Sequence, residues 1–335
     1  MKKFKLVIGI DISKAKLDVC IIEDPTSKQH KYFIVSNDKK GIASILKEVK
    51  KYKIDLTDCL FCFETTGVYT MHLCTELESK NHSYAMVPAI EIKRAKGLVR
   101  GKSDKADSRD IAMYAITHAH KLNLTSLPEA DLMKLRLLLT EREKLMKSIA
   151  VFDSTNENES FIDKNILKVV LAQNKKTLTF LKRQLIELEK TIQSIINSNE
   201  KIKAQFELAQ SVPGVGAQTA INLIVTTRCF SAFKNWRKLA CYAGIAPFEY
   251  SSGTSIRGKT KVSPMGNKKL KSLLNMAALT AIKRDKQLKD YFERKKEEGK
   301  SGMLIMNAIR CKIISRVFAT INREKPYVDV LKYYA

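Results

Sequence analysis

The chain has 335 residues, with 60 Lys+Arg against 35 Asp+Glu for a net charge of +25, and 44% of its residues are hydrophobic. That length allows about two domains with proper cores, and the apolar fraction excludes a disordered basic tail. No apolar run approaches the roughly 20 residues of a membrane span, and an odd set of seven scattered cysteines fits a reducing compartment rather than a disulfide framework, so the sequence reads as a folded cytoplasmic protein that seeks polyanions.

In chain order, residues 4–10, 17–22 and 31–35 are short β-rich runs with turn residues between them, and they predict a meander of three strands. The first run has a basic flank but is broken at once by Asp11, which favours a strand over a leader segment. Residues 41–52 place Ile42, Ile45, Leu46 and Val49 at helical spacing, and residues 59–63 return to a strand that ends in Glu64-Thr65-Thr66-Gly67. A helix over 69–80, a strand over 83–87 and a basic helical stretch over 89–118 follow. Three strands, a helix and a strand are the opening of a ribonuclease-H-like α/β domain, expected at residues 1–125. Cys59 and Cys62 form a C-x-x-C with no second pair and no nearby histidine, which reads as buried strand and not as a metal centre.

From Asp131 the texture changes. Leu132, Leu135, Leu139, Met146 and Ile149, and then Leu171, Leu178, Leu181, Leu185, Leu188, Ile192, Ile195 and Ile202, recur at heptad-like spacing on either side of the polar segment 153–165. This predicts two long helices over 126–205, forming an antiparallel hairpin or a dimerising coiled coil, with a generic helical bundle as the alternative. Residues 206–335 hold 24 Lys+Arg and 9 Asp+Glu, so +15 of the +25 is concentrated there. Within that region Gly214 and Gly216 lie in Ser211-Val212-Pro213-Gly214-Val215-Gly216, ahead of a helical run. Backbone N–H groups of such a turn can hold a phosphate, as in a helix-hairpin-helix element.

Four acids stand out. Asp11 follows one apolar strand and Glu64 another, while Asp104 and Asp107 are three residues apart and share a helix face. Carboxylates delivered to one sheet edge suit Mg²⁺ or Mn²⁺, whose pairing in two-metal sites stabilises attacking and leaving oxygens of a phosphodiester displacement. Seven bases lie within residues 93–109, Arg100, Lys102, Lys105 and Arg109 among them, where they can follow a phosphate backbone. Further on, the Ser251-Ser252-Gly253 loop is followed by Arg257, Lys259, Lys261, Lys268 and Lys269. A serine on such a loop is exposed enough to attack a phosphate and electropositive enough to stabilise the transition state. The five histidines show no triad context, so acyl-transfer chemistry is disfavoured.

Taken together, GIDISK (9–14), FETTGVY (63–69), GKSDKAD (101–107), SVPGVG (211–216), YAGIAP (242–247), YSSG (250–253) and GNKKL (266–270) resemble the DEDD transposases of bacterial insertion sequences, the IS one-ten group. The likeness runs in order over essentially the whole chain. It implies a ribonuclease-H-like, Holliday-junction-resolvase-like N-terminal domain, a coiled-coil connector at 126–205 and a mostly helical C-terminal transposase domain at 206–335. It also implies that Asp11, Glu64, Asp104 and Asp107 hold Mg²⁺, and that Ser252, the serine directly before glycine, is the nucleophile. By the same resemblance the enzyme excises and inserts its element by acting on element-end and target DNA, guided by a structured non-coding RNA. It would work as a homo-oligomer, dimer or tetramer, near the bacterial nucleoid, with acids and serine from different domains meeting in one composite site.

The competing reading is a Holliday-junction-type endonuclease that uses the acids and water without a covalent intermediate. GIDISK also resembles the first phosphate loop of actin-like sugar kinases, but no second acidic glycine-rich loop follows, and a sugar does not explain +25. A non-catalytic RNA scaffold would leave the four acids without a task.

Overall fold

Alternating contact with two helical layers explains why the first strand is apolar almost throughout. In the computed structural model, which describes residues 4–23, 26, 30–65, 67–97, 103–153, 161–252 and 256–329, the chain divides into the units Met1–Leu127 and Pro128–Ala335. The first unit is built on β1 (Leu6–Ile12), β2 (Lys16–Ile22), β3 (Lys31–Ser36), β4 (Cys59–Glu64) and β5 (Ser83–Val87), in the sheet order β3-β2-β1-β4-β5. The first three strands are antiparallel, and β4 and β5 continue parallel to β1. One face of the sheet, with Leu6, Ile8, Ile10, Phe61 and Phe63, packs on α1 (Lys39–Lys50) and α2 (Met71–Ser79). The other face, with Val7, Leu60, Cys62 and Ala85, packs on α3 (Ala89–Lys96) and α4 (Asp104–Thr117). This mixed five-stranded sheet between helices is consistent with a ribonuclease-H-like domain.

Two elements differ from the sequence expectation. The basic stretch 89–118 is not one helix. Gly97, at φ +66°, ends α3, and Ser103 starts α4 by accepting a hydrogen bond from the Ala106 N–H at 3.2 Å. The helix expected from residue 69 begins as a 3₁₀ turn over Gly67–Thr70 before α2 takes over. Cys59 and Cys62 are buried on opposite faces of β4, and burial pushes their thiols up to about 11 and about 12.

The second unit is largely helical. Its α5 (Ala130–Asp153) and α6 (Lys164–Ser198) form an antiparallel pair: Arg142 meets Glu189 at 2.8 Å, and Asp131 accepts from Asn199 at 3.1 Å. The same Asn199 caps α7 (Glu200–Gln210). Then come α8 (Ala217–Thr227), α9 (Trp236–Tyr242), the hairpin β6 (Pro247–Ser252) and β7 (Ile256–Val262), α10 (Lys268–Arg284), α11 (Lys286–Glu297) and α12 (Gly302–Arg323). A single apolar cluster runs from Leu132, Leu135 and Ile192 at the base of the helix pair to Ile224, Leu274, Ile313 and Val317, so the base of the pair shares the core of the later helices. Among the described residues no helix is long and apolar enough to cross a membrane.

Candidate active site

The acids are brought together by strand register and by one missing side chain. β1 and β4 run parallel with Ile10 beside Phe63, which brings the next residues, Asp11 and Glu64, to the same sheet edge. Period-two alternation puts Asp11 on the face of Val7 and Gly9, and Glu64 on that of Leu60 and Cys62, which is the face covered by α4. There Gly9 lets the helix lie directly on the strand: a Cβ at Gly9 would stand 2.5 Å from the Ala112 nitrogen and 2.7 Å from its Cβ. The first turn of α4 carries Asp104 and Asp107. The four acids therefore gather around the end of β1.

Electrostatics reports the same convergence. Burial first, then the charges of Asp107, Asp104, Glu64 and Asp18, hold the Asp11 carboxyl above the usual carboxylate range. The last of these, Asp18, is an acid the sequence reading passed over. It lies opposite Asp11 in the β1–β2 ladder, is almost fully buried, and accepts a 2.5 Å hydrogen bond from the Tyr32 hydroxyl. A charged residue inside the apolar run of β2 (Lys16–Ile22), seven positions beyond Asp11 across a tight turn, was the signal for it.

Two lysines thread this acidic group. Lys16 Nζ lies 2.7 Å from Asp104 and 3.1 Å from Asp18, and its hydrogen bonds to them raise its pKa. Lys96 Nζ lies 2.6 Å from Asp107 and 3.0 Å from Asp110. Burial opposes the Lys96 charge, but the bonds to Asp107 and Asp110 outweigh it and raise the pKa. The donor set is all carboxylate oxygen, which fits a hard divalent cation and not a thiophilic one. Among the described residues, however, no three His, Cys, Asp or Glu side chains lie close enough to hold one ion. The acids are neighbours, but not a closed coordination shell.

Of the basic residues expected here, Arg100 and Lys102 lie outside the described residues. Lys105 and Arg109 are exposed on α4, with Lys105 Nζ 5.4 Å from the centre of the Tyr32 ring. In the second unit, Gly214 has φ +89° and packs against α10, where a Cβ would meet Ala281 Cβ at 2.7 Å. Gly216 is exposed and opens α8, with nothing within 4 Å of the place a Cβ would take. Ser252 ends β6 opposite Ile256, and Arg257, Lys259 and Lys261 lie along β7. The side chains of these four residues are outside the described set, as is Gly253. Lys268 is exposed at the start of α10, and Lys269 pairs with Glu143 at 3.0 Å.

Comparison with known proteins adds two domain matches. Residues 8–163 match the IS110-type DEDD transposase domain, and residues 206–293 match the domain described as "Transposase IS116/IS110/IS902 family". The chain is 27% identical over 327 residues to the "Pilin gene-inverting protein" of Moraxella lacunata, covering 96% of this chain and 98% of that protein. The protein of the same name from Moraxella bovis matches equally. The "Insertion element IS110 uncharacterized 43.6 kDa protein" of Streptomyces coelicolor is 29% identical over 172 residues, 51% of this chain and 41% of that one.

Proposed function

Because the chain belongs to the IS110/IS116 family of DEDD transposases, enzymes acting on DNA, we propose that it cuts and rejoins DNA at the ends of a mobile element by serine-dependent strand transfer. The observation that carries the reading is the gathering of Glu64, Asp104 and Asp107 around a half-buried Asp11. Asp11, Glu64, Asp104 and Asp107 would hold Mg²⁺, or Mn²⁺ in its place. When bound, such an ion supplies Lewis-acid polarisation of a phosphoryl oxygen.

Ser252 is the nucleophile. Its Oγ gives up its proton and bonds to phosphorus, and the phosphodiester bond to the neighbouring nucleoside oxygen breaks, leaving a phosphoserine–DNA link and a free hydroxyl end. A hydroxyl end of the partner strand then attacks the same phosphorus, releasing the serine with the backbone restored. The exposed Lys105 and Arg109, with Arg100, Lys102, Arg257, Lys259, Lys261, Lys268 and Lys269, contact phosphates, and the α8 start at Gly216 offers N–H donors. Excess charge of +25 is enough for a structured guide RNA and DNA to be held together. Exposed Ile166, Val169 and Val170 on α6 support self-association as a dimer or tetramer. The enzyme works in the bacterial cytoplasm at the nucleoid. The name of the Moraxella relatives makes inversion a further product, alongside excision and insertion.

The test is incubation of the protein, the RNA flanking its element, Mg²⁺ and end-labelled junction DNA, followed by denaturing gels. A labelled protein adduct that is lost in Ser252→Ala and kept in Ser251→Ala is the expected result. Cleavage that depends on Asp11 and Glu64 but leaves no adduct would replace this reading with the water-using endonuclease.

A further inference from the structure

The two lysines in the acid group share a pattern. Each bridges one acid on the first turn of α4 to one acid outside the four. Lys16, from β2, joins Asp104 to the buried Asp18, and Lys96, from the end of α3, joins Asp107 to Asp110. Nothing in the strand-transfer chemistry calls for Asp18 or Asp110. We propose that Lys16 and Lys96 are place-holding cations: in the metal-free protein each lysine neutralises one α4 acid and is kept at its post by an acid that never binds metal.

Three observations carry this. The pairs with α4 are not the local i,i+3 and i,i+4 contacts that decorate helix surfaces, because Lys16 and Lys96 reach it from two other elements. Each ammonium is clasped by two carboxylates, at 2.6–3.1 Å: Lys16 spans Asp104 on α4 and Asp18 on its own strand, and Lys96 spans Asp107 and Asp110, both on α4. Finally, no three acidic side chains among the described residues lie close enough to hold one ion, as expected when Asp104 and Asp107 are each drawn to a lysine.

The clasps also solve a physical problem. Several carboxylates gathered around Asp11 repel one another when no cation is present, and two ammonium groups relieve that repulsion without closing the site. A divalent ion then competes with a monovalent group on a flexible stem. Once displaced, Lys16 keeps Asp18 and Lys96 keeps Asp110, so both remain beside the site as positioning residues with N–H groups to offer a phosphate oxygen.

The inference rests on the reading that the four acids hold a divalent ion, and its test separates the two. Mn²⁺ binding to the full chain without nucleic acid is followed by electron paramagnetic resonance. Lys16→Gln and Lys96→Gln are each expected to tighten Mn²⁺ binding about fivefold, roughly additively in the double variant, whereas Lys16→Arg returns to the wild-type value. A readout on the unaltered protein runs beside it: Mn²⁺ is expected to raise acylation of Lys16 and Lys96 by an amine-reactive ester, measured by mass spectrometry, and to leave the exposed lysines of α11 unchanged. Unchanged or weaker Mn²⁺ binding in the Gln variants, or lysine labelling indifferent to Mn²⁺, overturns the clasps while leaving the metal site intact. Mn²⁺ binding that survives Asp11→Asn and Asp107→Asn removes the metal reading itself, and the clasps with it.

Discussion

Replacing Gly9 by alanine adds one methyl group where α4 crosses β1, and the structure sets its cost. The new Cβ would stand 2.5 Å from the Ala112 nitrogen and 2.7 Å from the Ala112 Cβ, both belonging to a helix and not to a flexible side-chain end. Ordinary carbon contacts need about 3.5 Å, so α4 must retreat by roughly 1 Å or the strand must buckle. Overpacking of this kind costs about 1–3 kcal/mol. The retreat also carries Asp104 and Asp107 away from Asp11, because they ride on the first turn of the same helix. A misplacement of about 1 Å in reacting groups is worth about 100-fold in rate. Gly9→Ala is therefore expected to lower stability in urea unfolding by 1–3 kcal/mol and to lose strand-transfer activity far beyond what that fraction of unfolded protein explains. Gly9→Ala with full activity and unchanged urea midpoint would refute the claim that close approach of α4 builds the site.

Two further outcomes follow from charge. Asp11 has its folded-state pKa above the unfolded one, so ionising it opposes folding, and this group's contribution to stability grows as pH falls. Asp11→Asn should raise the metal-free Tm at pH 7 while abolishing metal-dependent cleavage, and the gain should shrink as the pH falls toward the ordinary carboxylate range of about 4; a lower Tm at pH 7 would contradict the cost that burial and the neighbouring acids place on ionised Asp11. Lys105→Gln and Arg109→Gln remove exposed charges from α4 and should each reduce the slope of log K against log salt by about 1 in DNA-binding titrations. An unchanged slope would take those residues out of the phosphate contacts.

Much of the candidate site's placement was legible in the sequence because its signals are local. Apolar runs ending in Asp11 and Glu64 identified the strands that present acids at an edge, and the three-residue spacing of Asp104 and Asp107 put them on one helix face. The family motifs needed no tertiary structure at all. What was not local was missed. Asp18 looked like any polar residue in a strand until the β1–β2 register placed it opposite Asp11. Lys96 was one basic residue among seven until α3 brought it to Asp107 and Asp110, and the break at Gly97 lay hidden within a run that looked continuously helical. Gly9 showed in the sequence as part of a motif, but only the crossing of α4 showed that its missing Cβ sets the distance between helix and strand. Periodicity along the chain fixes which face a side chain takes, since that depends on neighbours a few residues away. Which two faces meet, and how closely, depends on packing between residues some 100 positions apart, and that is decided only when the chain has folded.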